Sequence, residues 1–238
     1  MGPDDLSGKL LAGTAAHKLV DEPLNDVHVK LAELPLRLPP EGVREYDGLE
    51  RNIFRNAQIS DGYASLILAT EEGLEKLGVS KAQCVEIAGW GQATDPIKKE
   101  GRDVLHPAGA LKAMNQAYEM AGLTSVDINV AEVHDCFSVM GAIGTEVIGK
   151  AAPGQGARYW MDGNARPDGQ CGINTSGGLI AKGHPIGATG IAMVGWAGLQ
   201  LQGRVSPRVQ VKDARAAATF NIGGPICASV CTILKPAS

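Results

Sequence analysis

Between Asn174 and Gly190 the chain reads Asn-Thr-Ser-Gly-Gly-Leu-Ile-Ala-Lys-Gly-His-Pro-Ile-Gly-Ala-Thr-Gly, with five glycines and one histidine in seventeen residues. Glycine lets backbone approach a neighbour with no side chain between them, so this density predicts a loop pressed against something. From Ile186 to Leu201 the sequence is uncharged, and Pro185 suits the first turn of a helix. His184 is therefore expected where a tight loop meets a helix start. There a neutral imidazole can face negative charge that builds up during a reaction.

The grammar around this segment is regular from Asp61 onward. Tyr63–Ala69 reads as a strand, Glu71–Leu77 as a short helix stopped by Gly78, and Cys84–Trp90 as a strand. Leu111, Met114, Tyr118 and Ala121 mark one face of a helix over 108–121, which Gly122 ends. Ile128–Val133 reads as a strand, Phe137–Ile148 as a helix, and 150–173 as a solvated loop at the edge of a cleft. Two last strands, 215–221 and 226–234, flank a Gly223-Gly224-Pro225 turn. Alternating strands and helices closed by a strand pair imply a layered α/β domain over about 60–235. Residues 1–56 hold Pro35, Pro39 and Pro40 and scattered charge. They read as an irregular cap, with 11–19 and 28–34 as candidate helices.

Composition excludes several classes. The 238 residues are 44% apolar and 20% charged, an ordinary globular balance, with net charge −4 and no basic stripe for nucleic acid. Residues 185–203 lack charge, yet five glycines, Pro185 and two glutamines make a buried core helix the better reading than a membrane span. The cysteines at 84, 136, 171, 227 and 231 form no Cys-x-x-Cys pair. A metal site is not expected, and an intracellular setting, cytoplasmic or organellar, is. Residues 1–20 carry Asp4, Asp5 and Lys9 rather than a signal peptide, and the terminal Pro-Ala-Ser is not a peroxisomal tripeptide.

A second constellation is Glu132-Val-His-Asp-Cys-Phe-Ser138, at a strand-to-helix junction. Side chains at strand ends of α/β sheets point into the crevice where ligands bind. His134 and Cys136 are two apart and share a face if the strand persists. A thiol beside an imidazole can pass protons near neutral pH. Alone, this His-x-Cys reads as a buried cysteine and a core histidine. Paired with His184 it suggests two imidazole N–H donors around a water or a thioester oxygen.

The Asn174–Gly190 segment resembles the C-terminal signature of the thiolase family, and His134-Asp-Cys-Phe-Ser138 resembles the form found in sterol-carrier-related thiolases. Asp61-Gly-Tyr-Ala-Ser65 is similar to the strand preceding that family's C-terminal domain, and Asn221-Ile-Gly-Gly224 to its last glycine turn. The resemblance implies a thiolase-like C-terminal domain over 57–238, a mixed sheet flanked by helices, whose first strand at about 61–70 belongs to the domain or to the other half. It also implies 3-oxoacyl-CoA thiolase chemistry. A cysteine takes the acyl group from a 3-oxoacyl-CoA, a second acid–base group protonates the departing acetyl-CoA carbanion, and coenzyme A collects the acyl group, or the reverse. By resemblance His184 activates the nucleophile and binds the thioester oxygen, His134 shares that task, and Cys136 is the acid–base group. Asn174, Gly183 and Gly223 would serve oxyanion or substrate binding. Coenzyme A is expected as substrate, with no tightly bound cofactor.

Two features depart from the family. No cysteine lies in the context expected of the acyl-accepting nucleophile, and Pro225 replaces a glycine in the final turn. The nucleophile is expected from an N-terminal thiolase half, and the chain is expected to associate with such a half or with itself as a homo-oligomer. A non-catalytic acyl-CoA-binding relative and a partner-dependent aldolase-like relative are the alternatives.

Overall fold

The computed structural model describes residue 57, residues 60–97 and residues 103–237. The cap reading of 1–56 and its two candidate helices lie outside the described residues. Eleven elements are used below: α1 (Glu71–Leu77), β1 (Val85–Thr94), α2 (Ala108–Ala121), β2 (Val130–Val133), α3 (Ser138–Val147), α4 (Gly156–Met161), β3 (Gly172–Ile173), α5 (Gly178–Lys182), α6 (Thr189–Leu201), β4 (Ala217–Gly223) and β5 (Ala228–Pro236). The strands form one sheet in the order β1-β5-β4-β2-β3. β2 runs parallel to both β3 and β4, whereas β5 runs antiparallel to β4 and β1. The sheet is therefore mixed and helix-flanked, as the α/β reading expects.

Strand alternation divides the core between two faces. Ala131, Val133, Ala218, Phe220, Cys231 and Ile233 point to one face, where they pack with Ala110, Ala113, Met114 and Ala117 of α2 and with Ile143 and Val147 of α3. Val130, Ala217 and Leu234, one position out of phase, meet Ala197 of α6 on the other. β2 is buried along all four residues, as expected of a strand with neighbours on both sides and helices on both faces. The α2 side works because the helix presents small residues and β1 presents glycines. A Cβ on Gly91 would sit 1.9 Å from the Ala113 carbonyl oxygen, and one on Gly89 would sit 2.2 Å from that of Ala117.

Helices α1 and α2 have the bounds their periodicity predicts, and both end on left-handed glycines, Gly78 at φ 65° and Gly122 at φ 63°. The strand read as Cys84–Trp90 runs on to Thr94, that read from Ile128 begins at Val130, and the helix expected at Pro185 begins at Thr189, after a turn. Three further segments differ more from expectation. Residues 60–70 form neither strand nor helix. They run beside α6 instead of along a sheet edge: Ser60 Oγ accepts the His184 N–H at 2.9 Å ahead of that helix, and Leu66 lies over Gly195 within it. A β-propensity run without a ladder partner stays irregular. The last two strands each start and end two residues later than read, so the turn between them shifts to 224–227, where Gly224 and Ile226 are both in the left-handed region (φ 59° and 58°). The supposed loop 150–173 holds α4 and β3. Glu146 Oε1 accepts the Gly156 N–H at 2.8 Å, and Trp160 Nε1 donates to Thr145 Oγ1 at 2.9 Å, so two side chains of α3 hold α4. Among the described residues no helix is long and apolar enough to cross a membrane; α6, with 13 residues, occupies the uncharged run.

Candidate active site

The site forms at the carboxyl end of the parallel pair β2 and β4. His134 follows β2 directly, and its N–H bonds the Phe220 carbonyl of β4 at 2.9 Å. The Asn174–Gly190 segment is clamped beside it. Asn174, at φ 52°, accepts the Val133 N–H with Oδ1 at 2.7 Å and donates Nδ2 to the Val133 carbonyl at 2.9 Å. One side-chain amide thus continues the ladder of β2. Both ends of that amide are engaged and the residue is 1% exposed. The Gly183 N–H is likewise occupied, by the Leu179 carbonyl at 3.1 Å, and at φ 92° Gly183 turns the chain out of α5. Gly223 is exposed and closes the β4–β5 ladder opposite Ala228.

A buried polar cluster fixes the same segment. Ser176 Oγ donates to Glu132 Oε2 at 2.5 Å while its N–H bonds Oε1 at 3.2 Å. Lys182 Nζ donates to Ser176 Oγ at 2.9 Å and lies 3.4 Å from Glu132 Oε2. Burial pushes the Glu132 carboxyl up, and Lys182 and Ser176 pull it back down. Asp135 adds a further tie: its Oδ1 accepts the Leu179 N–H at 2.6 Å, while its Oδ2 has no hydrogen-bond partner among the described residues.

These clamps bring His134 and His184 together edge to face, ring centroids 5.0 Å apart and planes at 89°. Each ring has its own partner from another part of the chain. His134 Nδ1 bonds Asn221 Oδ1 at 2.6 Å, and His184 Nδ1 bonds Thr189 Oγ1 at 2.8 Å. Burial lowers both imidazoles, His134 to about 4, so both are neutral at physiological pH. Cys136, half-buried before α3, packs with Leu179 of α5 and Met193 of α6, the helices that flank His184. Burial raises its thiol, with the Phe137 N–H acting the other way. The other cysteines lie apart. Cys171 and Cys231 are core residues whose thiols burial pushes up to about 12. Among the described residues no group of three or more His, Cys, Asp or Glu is placed to hold a metal ion.

One consequence is a pair of opposed pH dependences. Burial raises Asp135 from 3.8 to about 6. Its protonated form contributes stability that is fully present below pH 3.8 and is lost as pH rises through about 6. His134, lowered from 6.5 to about 4, contributes stability present above pH 6.5 and lost as pH falls through about 4. Each shift of roughly two units corresponds to about 3 kcal/mol. Asp135→Asn is expected to leave the His134 contribution unopposed. Between pH 4 and pH 6 its urea-derived stability should rise more steeply than that of the parent, by about 3 kcal/mol. Equal slopes in the two proteins would rule out an elevated Asp135.

Residues 91–236 match the family model described as thiolase C-terminal domain-like. The chain belongs to the thiolase family. It is 40% identical over 167 residues to an acetyl-CoA acetyltransferase of Methanothermobacter thermautotrophicus, a match covering 70% of this chain and 43% of that protein. It is also 40% identical over 168 residues to human sterol carrier protein 2, covering 69% of this chain and 30% of the relative. A benzoylsuccinyl-CoA thiolase subunit of Thauera aromatica is 30% identical over 169 residues, 71% of this chain and 43% of that one. The chain thus spans less than half the length of these relatives. A solved structure titled "Ltp2-ChsH2(DUF35) aldolase" superposes with TM-score 0.57 at 21% identity, over 64% of this chain and 40% of that one, and shares the fold.

In this thiolase-family chain the residues that hold the two imidazoles, Asn221 and Thr189, are not legible as such in the sequence. Thr189 lies inside the Asn174–Gly190 segment and Asn221 opens the last glycine turn, but nothing local to either names a histidine as its partner. The one available signal for Thr189 is a hydroxyl five residues after a histidine at a helix start. The Glu132–Ser176–Lys182 cluster gives even less, because its members are 44 and 50 residues apart.

Proposed function

We propose that this chain supplies the acid–base half of a thiolase acting on CoA thioesters, 3-oxoacyl-CoA cleavage or the reverse Claisen condensation. The observation that carries the reading is the edge-to-face meeting of His134 and His184, each held by a separate partner, with Cys136 two residues after His134 and packed against the Leu179 and Met193 cluster. The acyl-accepting thiol comes from a thiolase N-terminal half. His184 takes the proton of that thiol, and the sulfur attacks the 3-oxoacyl carbonyl. The carbon–carbon bond breaks, and the carbanion of acetyl-CoA takes the Cys136 Sγ proton. The resulting thiolate recovers a proton from coenzyme A, whose sulfur attacks the acyl carbonyl; the bond to the nucleophile's sulfur breaks, and that sulfur takes its proton back from His184. A thiol raised by burial suits this task, since it is protonated when the carbanion appears.

Asn174 and Gly183 act here as positioning residues, their polar groups being engaged within the chain. His134, with Nδ1 bonded to the Asn221 oxygen, offers a lone pair at Nε2. A water held there gives its other hydrogen to the thioester oxygen. Exposed apolar residues support docking of the N-terminal half: Tyr63, Leu68, Ile186 and, at 87% exposure, Ile67. The irregular segment 61–70 then finds its ladder partner in that half.

The test is thiolysis of acetoacetyl-CoA and a longer 3-oxoacyl-CoA by the chain mixed or co-expressed with the N-terminal half of a sterol-carrier-related thiolase. Turnover that requires both parts is the expected result. Coenzyme A binding without turnover in any combination would replace this reading by a non-catalytic acyl-CoA-binding one. Carbon–carbon cleavage that needs no thiol nucleophile would replace it by the aldolase-like one.

A further inference from the structure

The His184–Thr189 contact is more specific than a packing contact, because hydrogens can be counted in it. Thr189 Oγ1 lies 2.8 Å from His184 Nδ1 and 3.1 Å from the Pro185 carbonyl oxygen. Thr189 is 2% exposed, so its hydroxyl bonds within the protein. A carbonyl oxygen carries no hydrogen, and a hydroxyl carries one. Two contacts at hydrogen-bond distance need two hydrogens. The hydroxyl supplies the one shared with Pro185, and the other must sit on Nδ1. The reverse assignment gives the hydroxyl hydrogen to Nδ1 and sets the Thr189 and Pro185 oxygens 3.1 Å apart with no hydrogen between them, lone pair against lone pair.

We propose that Thr189 is a positioning residue that fixes His184 as the Nδ1–H tautomer and so presents Nε2 as a hydrogen-free proton acceptor. The thiolase reading enters only in what Nε2 accepts. In that reading the nucleophile's S–H bond breaks and an Nε2–H bond forms, and the thiolate keeps the electron pair. His184 then becomes an N–H donor to the thioester oxygen only after it has taken this proton. The acceptor is delivered by geometry that exists before substrate arrives: the turn at Pro185 places its carbonyl over the first residue of α6, where it also receives the Ala188 and Thr189 N–H groups at 2.8 and 2.9 Å. The turn that leads into α6 therefore sets the proton position on a ring five residues before its first residue. This is how tautomers are set elsewhere, by the bond the other ring nitrogen makes.

The test reads the tautomer directly and needs no turnover. The 238-residue chain is labelled with nitrogen-15 at histidine, and two-bond proton–nitrogen correlations are recorded at neutral pH for the parent, Thr189→Val and Thr189→Ser. In the parent the expected pattern is a protonated Nδ1 and a bare Nε2 for His184. Serine, which restores the hydroxyl, should keep it. Valine has nearly the same shape but no oxygen, and it should shift the ring toward the Nε2–H form while the His134 signals stay in place. If valine prevents folding, Thr189→Ala carries the same expectation. A parent His184 that carries its proton on Nε2 overturns the proposal, as does a valine or alanine variant with an unchanged tautomer. Failure of the thiolysis assay with the tautomer pattern intact would remove the functional reading and leave this one standing.

Discussion

Replacing His184 by alanine is expected to lower thiolysis in the reconstituted enzyme by about 10³–10⁴-fold in kcat, with the fold retained. General base work by a placed imidazole contributes about 10²–10⁴-fold, and loss of one oxyanion donor costs about 10²–10³-fold. The two do not add, because one nitrogen performs both in sequence. The fold should survive because the His184 ring makes one side-chain hydrogen bond, to Thr189, and the segment's position is set by Asn174, Ser176 and Lys182 instead. Cys136→Ala should fail at a different step. Exchange of the acetyl-CoA methyl protons with deuterated water should disappear, while acylation of the nucleophile by acyl-CoA persists. Full exchange in Cys136→Ala would move the acid–base role to another group, and near-parental turnover in His184→Ala would end the proposed mechanism.

The largest stability effect is expected at Lys182. Its side chain is 13% exposed and that of Glu132 1%, so Lys182→Met leaves a buried acid without its counter-charge. Breaking one side of a buried pair costs about 3–5 kcal/mol, more than a surface pair contributes. Glu132 stays held by the Ser176 hydroxyl and N–H, which argues for the lower end, about 3 kcal/mol. Burial raises the Glu132 carboxyl, so it neutralises more readily than an exposed acid. The deficit of Lys182→Met should therefore shrink as pH falls through the elevated Glu132 transition. Urea unfolding of the two single variants and the double variant Glu132→Gln/Lys182→Met gives the coupling. The double variant is expected to recover most of the loss. A single variant as stable as the parent at neutral pH would show that the pair is solvated and the cluster does not hold the His184 loop.

Local sequence determined a great deal in this chain. Helices α1 and α2 end where left-handed glycines stop them, and α/β alternation follows from runs whose apolar spacing is read within one element. The His184 signature could be placed at a loop-to-helix junction for the same reason: Gly183, Pro185 and the uncharged stretch act within a few residues. Only the tertiary structure decided which groups meet. Asn221 reaches His134 across 87 positions, and Lys182 reaches Glu132 across 50. A polar residue's partner over such separations is set by the register of β2 against β4 and by the glycine loop laid beside them, and no local propensity encodes that register. Tyr63–Ala69 shows the same limit from the other side: its residues have the composition of a strand, but a strand exists only where a neighbouring strand offers hydrogen bonds, and within the described residues none does.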